Sequence, residues 1–316
     1  MSQSTTTSSR LPSGFVALVG QPNVGKSTLM NSILEIKISA TTSKPQTTRN
    51  RILGVQTFRE KGQICFVDTP GIHKSSRRLN RAMTDTALQS LKEVDLVCHL
   101  VDAAELRAWQ QKTGEAGLPP DEEFVMERLV ESNVDAILAV NKIDLVDDKL
   151  DLLPLIETLS EANDYCDVIP VSALTGENQS RLVDVIIGHF PQQGLLFPEE
   201  MLTDRAERFI AAEFVREQVM EHTDREIPYS VAVEVETFRD NDDRQLLEIT
   251  AVIHVERDSQ KGIVIGKGGR RLKEIGKAAR GELEDFFGKQ VYLETFVRVE
   301  PRWSDNPRFL NRFDYQ

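Results

Sequence analysis

Residues 20–27 read GQPNVGKS and match the spacing G-x-x-x-x-G-K-[ST] of a phosphate-binding loop. The glycines let backbone N–H groups converge on phosphate oxygens, and the helix after such a loop directs its positive end at them. Lys26 would reach the β- and γ-phosphates of a nucleoside triphosphate, and Ser27 would hold Mg²⁺. An ordinary glycine turn is the alternative, but an apolar run of strand length precedes these residues and a helical stretch follows them. The loop therefore predicts binding of a nucleotide with Mg²⁺.

Three shorter patterns follow along the chain, each directly after an apolar run of strand length. Residues 68–71 read DTPG; the aspartate suits Mg²⁺ binding through water, and the Gly71 N–H could meet the γ-phosphate. Residues 141–144 read NKID, and the Asp144 carboxylate could accept both the N1–H and the 2-amino group of guanine, which adenine lacks. Residues 172–173 (SA) would close over the base. Each short pattern alone also describes an ordinary turn, but the four in order predict a guanine-nucleotide site.

Together these motifs resemble the translation-factor-related GTPases. In that family a threonine of the switch segment, here residues 44–49 (KPQTTR), completes the Mg²⁺ shell in the GTP state; we favour Thr48, with Thr47 as the alternative. The resemblance implies GTP and GDP as nucleotides, with Mg²⁺ held by Ser27, Thr48 and Asp68. The predicted nucleotide-binding residues are Gly20, Gln21, Pro22, Asn23, Val24, Gly25, Lys26, Ser27, Thr28, Thr47, Thr48, Asp68, Thr69, Pro70, Gly71, Ile72, Asn141, Lys142, Ile143, Asp144, Val171, Ser172 and Ala173.

Ile72, which follows the DTPG motif, is a departure from the Ras-like pattern. Ras-like members place a water-orienting glutamine there, whereas an isoleucine can neither orient water nor carry a proton. We therefore expect slow intrinsic hydrolysis of GTP, aided by a partner or by another group, and the sequence does not identify that catalytic group. His73 is one candidate for a general base. The basic stretch that it begins, residues 73–78 (HKSSRR), could contact RNA or a partner but is more simply a solvated mobile loop.

Short apolar runs alternate with helix-length segments from about residue 14 to residue 190. This rhythm predicts an α/β P-loop NTPase G domain with a mostly parallel sheet and helices on both faces. Ligands of such sheets bind at the carboxyl ends of the strands, where the four motifs lie. The stretch 103–121 is longer than this connection usually is in the family, and we interpret it as a surface insertion.

Residues 266–269 (GKGG) follow three apolar residues and open a basic helix. A lone G-x-x-G is weak evidence, because a glycine-rich helix junction has the same letters. The order helix, strand, strand, helix, loop, helix, strand resembles an α+β type II KH domain, whose loop clamps the backbone of a single-stranded nucleic acid. The predicted RNA-binding residues are Ile263, Ile265, Gly266, Lys267, Gly268, Gly269, Arg270, Arg271 and Lys273. The predicted boundaries are a disordered tail at 1–13, the G domain at 14–190, a linker at 191–202, the KH domain at 203–300 and a C-terminal tail at 301–316.

The charge of the chain is acidic overall and basic in one place. With 38 Lys+Arg against 50 Asp+Glu, the net charge of −12 argues against a protein that coats nucleic acid along its whole length. Residues 261–280 nevertheless contain seven basic residues and one acidic residue. The net negative charge of the rest of the chain should disfavour nonspecific binding of nucleic-acid phosphates and direct RNA to this basic helix. Three scattered cysteines and the lack of an apolar run of about 18 residues favour a cytoplasmic protein without disulfides.

The whole pattern resembles the bacterial ribosome-assembly GTPases that join a G domain to a type II KH domain. The resemblance rests on residues 44–49, 203–205 (TDR) with 208–209 (RF), 226–230 (EIPYS) and 259–269. It implies a GTP-hydrolysing switch in 30S subunit assembly that binds 16S rRNA near its 3′ end, acts as a monomer and associates loosely with the inner face of the cell membrane. An RNA-linked GTPase acting on tRNA or the large subunit is the alternative, although that branch would need a second G domain or a C-terminal catalytic cysteine. A metabolic P-loop kinase or ATPase conflicts with the NKID motif.

Overall fold

The structure, a computed structural model, describes residues 11–73, 78–114, 117–241, 245–313 and 315. Of the predicted N-terminal tail, residues 1–10 lie outside these ranges. Ser13 begins the first strand, and the Pro12 carbonyl accepts a hydrogen bond from the Gln63 N–H at 3.0 Å. Residues 11–13 therefore belong to the first domain rather than to a tail. Among the described residues, no helix is both long and apolar enough to cross a bilayer.

The first domain is built on a six-stranded sheet with the order β2-β3-β1-β4-β5-β6. Strand β2 is antiparallel to β3, and the other neighbours pair in parallel. The strands are nearly continuous apolar runs because helices cover both faces of the sheet. Their bounds are β1 Ser13–Val19, β2 Ile52–Phe58, β3 Gly62–Asp68, β4 Leu96–Asp102, β5 Ala136–Asn141 and β6 Asp167–Pro170.

The helices of this domain follow the strands as the sequence rhythm predicts. Strand β1 has β3 on one side and β4 on the other, so the order in which the strands are added reverses at β1, and a crevice opens at the carboxyl ends of the strands there. The phosphate-binding loop lies at this crevice. The helices are α1 Lys26–Leu34, α2 Arg78–Ser90, α3 Ala103–Thr113, α4 Pro120–Ser132, α5 Leu152–Ala162 and α6 Gln179–Gly188.

The stretch 103–121, expected as a surface insertion, forms helix α3 and the start of α4. Leu106 and Leu118 within it are buried and pack with Met126 and Leu155 in one apolar cluster. The outer side of α3 is exposed, so the stretch is both part of the core and part of the surface. Asp102 caps α3 by accepting from two main-chain N–H groups of its first turn.

The second domain has a three-stranded sheet with the order β7-β8-β9, in which β7 is antiparallel and β9 parallel to β8. Helices α7 and α9 pack against the sheet; Ile275, Ala279 and Leu283 form the fully buried stripe of α9 at helical spacing. The element order of a type II KH domain is present as predicted. The elements are α7 Glu207–Glu221, β7 Ala232–Asn241, β8 Leu246–Val255, α8 Asp258–Ile265, α9 Arg270–Phe287 and β9 Gln290–Val299.

The described residues after position 300 are packed rather than forming the expected tail. Helix α10 spans Pro307–Arg312, and the Trp303 side chain is fully buried with its Nε1–H donating to the Ser230 carbonyl at 2.9 Å. Trp303 packs in one cluster with Leu79 and Met83 of helix α2. The structure differs from the predicted C-terminal tail because the aromatic residues near the chain end supply enough apolar surface to pack between the two domains.

We expect Trp303→Ala to lower the free energy of unfolding by about 3–5 kcal/mol, since it leaves a cavity and an unpaired Ser230 carbonyl. Urea unfolding followed by circular dichroism measures this loss. Phe296→Ala is the matched control, because Phe296 is 53% exposed on β9 and its removal should change stability by no more than about 0.5 kcal/mol. Equal small losses for both variants would contradict the packed arrangement.

Candidate functional site

The phosphate-binding loop leaves β1 and enters α1 with glycines where other residues do not fit. Gly25 precedes the helix at a φ of 103°, and a Cβ there would overlap the Asn141 side-chain amide. Lys26 is buried, and its Nζ donates to the carbonyls of Gly20 at 3.1 Å and Gln21 at 2.9 Å. Burial lowers the pKa of Lys26 to about 8, although the Asp68 and Glu122 carboxylates oppose the shift. An anionic ligand in this loop would favour the charged lysine.

Three oxygen side chains from separate segments meet at the carboxyl end of β3. Ser27 Oγ donates to Asp68 Oδ2 at 2.6 Å, and Thr48 Oγ1 lies 2.7 Å from Ser27 Oγ and 3.4 Å from the same carboxylate oxygen. Asp68 is fully buried, which raises the pKa of its carboxyl. Its Oδ1 has no hydrogen-bond partner among the described residues. Oxygen donors and an orphaned carboxylate atom fit Mg²⁺, which prefers hard oxygen ligands.

The switch segment 44–49 presents its two threonines differently. Thr47 Oγ1 donates to the Lys44 carbonyl at 2.7 Å and lies 2.7 Å from Thr42 Oγ1. Only Thr48 of the pair stands beside Ser27 and Asp68. The structure thus brings together the three residues predicted as Mg²⁺ ligands and places Thr47 in a local turn.

The DTPG motif packs closely against the phosphate-binding loop. A Cβ on Gly71 would lie 2.7 Å from the Pro22 nitrogen, so this approach requires glycine. Thr69 Oγ1 donates to the Leu18 carbonyl at 2.8 Å and is buried, which gives it a structural contact. Ile72 donates its N–H to the Gly20 carbonyl at 3.2 Å, and its side chain is fully buried in the core. The motif is therefore fixed to the loop by main-chain contacts.

His73 follows with both ring nitrogens near polar groups. Its Nδ1 lies 3.0 Å from the Gly71 carbonyl and its Nε2 lies 3.3 Å from Gln46 Nε2. Residues 74–77, which continue the basic stretch noted in the sequence, lie outside the described residues. His73 is thus near the switch segment, but its ring is engaged by main-chain and amide groups.

The NKID motif and residues 172–173 meet as predicted. Asn141 Nδ2 donates to the Val24 carbonyl at 2.6 Å, and its Oδ1 accepts from the Ala173 N–H at 2.9 Å, so one side chain joins β5 to two loops. Ser172 Oγ donates to Asp144 Oδ1 at 2.6 Å, which orients the carboxylate. Ile143 and Val171, also predicted to contact nucleotide, are buried beneath these loops.

Two polar residues that the sequence analysis did not predict, Ser39 and Asp102, contact residues of the site. Ser39 Oγ donates to Asp68 Oδ2 at 2.8 Å, and no motif or periodicity marks that serine. Asp102 pairs with Lys142 Nζ at 2.6 Å. Asp102 does follow an apolar run at the carboxyl end of β4, so the rule that located the other motifs could have found it.

The glycine loop of the second domain joins α8 to α9 through three glycines with positive φ angles. The φ angles are 73° at Gly266, 61° at Gly268 and 78° at Gly269. A Cβ on Gly266 would lie 2.8 Å from Arg271 Cβ, whereas the other two positions face open space. The Arg271 guanidinium donates to the Ile263 carbonyl at 2.7 Å and so fixes the loop to α8.

The accessible side chains among the predicted RNA-binding residues are of two kinds, basic and apolar. Lys267, Arg270 and Lys273 are exposed and place positive charge at the surface around the start of α9. Ile263 is 41% exposed and Ile265 is half-buried, while the residue between them is buried in the core. The loop therefore offers an open backbone with basic side chains beside two accessible apolar ones.

Comparisons with known proteins agree with this division of the chain. Residues 15–142 match the family described as 50S ribosome-binding GTPase, and residues 226–304 match the KH domain family. GTPase Era of Geotalea daltonii is 47% identical over 98% of this chain and 100% of its own length. The chain belongs to the GTPase Era family. GTPase Era of Vibrio parahaemolyticus is 45% identical over 96% of this chain and 91% of its own.

Two solved Era structures resemble this chain over nearly its whole length. A crystal structure of Era with MgGDPNP and nucleotides 1506–1542 of 16S ribosomal RNA is 40% identical, has a TM-score of 0.90, and covers 96% of this chain and 99% of that one. An Aquifex aeolicus Era variant bound to GDP and AlF4⁻ is 41% identical, with a TM-score of 0.89 and the same coverage. The predicted family and fold class, a G domain followed by a KH domain, are confirmed.

We expect Asp144→Asn to lower the affinity for GDP by about 100-fold, because an amide cannot accept both hydrogen bonds of the guanine edge. Xanthosine diphosphate, which carries a carbonyl in place of the 2-amino group, should gain relative affinity. Titration with labelled nucleotides measures both changes. Asp147→Asn, on the exposed loop three residues later, is the control and should retain parental affinity. Unchanged GDP affinity in the Asp144 variant would remove this carboxylate as the basis of base selection.

Proposed function

We propose that this Era-family chain is a GTP-hydrolysing switch that binds 16S rRNA near its 3′ end and acts in 30S subunit assembly. The observation that carries the proposal is the presence in one chain of a guanine-type nucleotide site and an open KH loop. Support comes from the Era structure that holds both MgGDPNP and nucleotides 1506–1542 of 16S rRNA, since its chain covers 96% of this one at 40% identity.

In the proposed nucleotide complex, each motif has one task. The N–H groups of the phosphate-binding loop and Lys26 hold the phosphates, and Asp144 accepts from guanine while Ser172 keeps the carboxylate in place. Asn141 holds the two loops at a fixed separation. These residues bind and orient the nucleotide before any bond is broken.

Ser27, Thr48 and Asp68 would hold Mg²⁺, which when bound neutralises charge that develops on the phosphate oxygens. Asp68 is already kept in position by three hydroxyl donors, including Ser39. Positioning of this kind reduces the rearrangement that metal binding requires. The described residues thus supply a preformed set of oxygen atoms.

We propose that intrinsic hydrolysis is slow. The Ile72 side chain is buried in the core, so the position that carries glutamine in Ras-like proteins presents only a main-chain N–H, which already donates to Gly20. The water-activating group would come from another residue or from a bound partner. Binding of the RNA or the ribosomal subunit is then a means of timing hydrolysis.

In the proposed RNA complex, the backbone of a short single strand passes Gly268 and Gly269, which face open space. Lys267, Arg270 and Lys273 contribute charge to phosphates, and Ile263 and Ile265 contact unstacked bases. The acidic remainder of the chain disfavours phosphate binding elsewhere.

A role on the small subunit is favoured over the large subunit or tRNA. The description "50S ribosome-binding GTPase" concerns residues 15–142 alone, whereas the rRNA-bound Era structure matches both domains. We propose that the protein acts in the cytoplasm. Loose association with the inner face of the membrane and a monomeric state stay predictions from the family resemblance.

We expect Gly268→Asp to weaken binding of a 16S 3′-end oligonucleotide by about tenfold or more, because a carboxylate in the loop repels the phosphate backbone. Affinity for GTP should stay unchanged. Gly281→Asp is the control for the added charge, since Gly281 lies within α9, away from the loop, and also has open space around its Cβ position. Fluorescence anisotropy measures the RNA affinity. Retained RNA affinity in the Gly268 variant would exclude the loop as the clamp.

Nucleotide competition separates the proposed function from that of a metabolic kinase or ATPase. GTP should displace labelled GDP at micromolar concentration, whereas ATP should be at least about 1,000-fold weaker because adenine leaves Asp144 unpaired. Displacement by ATP as strong as that by GTP would contradict guanine selection.

A further inference from the structure

Both ends of the switch segment 44–49 are bound to main-chain carbonyls of the second domain. Lys44 Nζ donates to the Met220 carbonyl at 2.6 Å and to the Thr223 carbonyl, at the C-terminal end of helix α7. A cation at this end of a helix is favoured by the helix dipole. Arg49 is buried and donates to the carbonyls of Val231 at 2.6 Å and Pro228 at 2.8 Å. The segment is therefore held between the G domain and the KH domain.

In a third contact, at the middle of the segment, the donor lies on the second domain and the acceptor on the switch segment. Arg216, on α7, is fully buried, and its Nη2 donates to the main-chain carbonyl of Thr47. That carbonyl belongs to the peptide that links Thr47 to Thr48. Thr48 Oγ1 in turn lies 2.7 Å from Ser27 Oγ. One guanidinium of the KH domain is thus a single peptide away from a proposed Mg²⁺ ligand.

The guanidinium is itself held by a buried carboxylate. Arg216 Nε donates to Glu213 Oε1 at 2.7 Å, and Nη2 also contacts Glu213 Oε2. A buried ion pair gives little net stability compared with apolar residues of the same size, because both charges must leave water. Its effect here is geometric: the planar guanidinium is fixed along one edge and directs a remaining donor at Thr47. A lysine ammonium could not make both contacts with the same geometry.

We propose that Arg216 is a positioning residue for the nucleotide site: it fixes the Thr47 carbonyl so that the Thr48 hydroxyl stays beside Ser27 and Asp68. The inference rests on the proposed role of Thr48 in binding Mg²⁺ and goes beyond it by assigning part of the metal site's geometry to the RNA-binding domain. Displacement of α7 from the switch segment weakens Mg²⁺ binding, and Mg²⁺ binding favours the docked arrangement by the same factor.

The test uses the full chain with Arg216→Lys, which keeps a positive charge opposite Glu213 but cannot span both contacts. The dissociation rate of a fluorescent GTP analogue is measured as a function of Mg²⁺ concentration and also in EDTA. We expect the Mg²⁺ concentration at half-effect to rise by about tenfold, the value of one lost charged hydrogen bond. The rate in EDTA should stay at the parental value, because the contact acts only through the metal site.

A second variant guards against misfolding of the first. Glu213→Leu combined with Arg216→Met replaces both buried charges by apolar side chains of similar size, which cores tolerate. It should show the same shift in Mg²⁺ dependence. Lys37→Met is the matched control, since Lys37 also joins the two domains, with Nζ 2.7 Å from Glu217 and 3.0 Å from Glu282, but bonds no residue of segment 44–49. Its Mg²⁺ dependence should stay within about twofold of the parent.

Thr48→Ala separates this inference from the proposed function. If Thr48→Ala raises the Mg²⁺ requirement and both Arg216 variants do not, the positioning role is wrong and the metal site stands. If Thr48→Ala has no effect, the proposed metal role fails instead. Equal shifts in the Arg216 and Lys37 variants would indicate general loosening of the domain boundary and would also overturn the positioning role. In the double variant Thr48→Ala, Arg216→Lys, the shift should not exceed the larger single shift, because both changes act through one hydroxyl.

Discussion

The buried carboxylate of Asp68 is the constraint on which the nucleotide site depends. A carboxylate removed from water must be compensated, and here hydroxyl groups of Ser27, Ser39 and Thr48 are directed at one of its oxygens while the Lys26 ammonium lies nearby. These donors come from the phosphate-binding loop, the segment after α1 and the switch segment. Satisfying one charge therefore brings three parts of the chain to the end of β3. The other oxygen, Oδ1, has no hydrogen-bond partner within the described part of the chain and is therefore available to a cation.

From this carboxylate, contacts continue into the second domain along two routes. One passes through the switch segment to Arg216 on α7. The other is made by helix α2, which follows the DTPG motif in the sequence and whose Leu79 and Met83 pack with Trp303 near the chain end. The switch segment thus contacts helix α7 of the KH domain, and helix α2 contacts the packed residues near the chain end. The switch segment therefore lies between the proposed Mg²⁺ site and the second domain.

The proposed nucleotide site and the proposed RNA site differ in the burial of their basic side chains. Lys26 is buried against main-chain carbonyls, so its charge acts at short range on a ligand enclosed by the loop. Lys267 and Arg270 are exposed, so in the proposed RNA complex their charges would act on the phosphate backbone through solvent, where salt screens them. A closed site suits selection among nucleotides, and an open one suits a strand that must enter and leave.

The sequence by itself determined the features that depend on local rules. Strand–loop–helix periodicity located the nucleotide motifs and the G-x-x-G loop, because parallel strands bring their carboxyl ends to one edge and glycine permits conformations that other residues do not. Only the tertiary structure decided the contacts of Ser39, Arg216 and Trp303. Helix α7 illustrates the reason: Glu213, Arg216 and Glu217 are polar yet buried, so periodicity alone would place them in solvent. Their partners include residues more than 160 positions away, and such pairings depend on how the two domains pack.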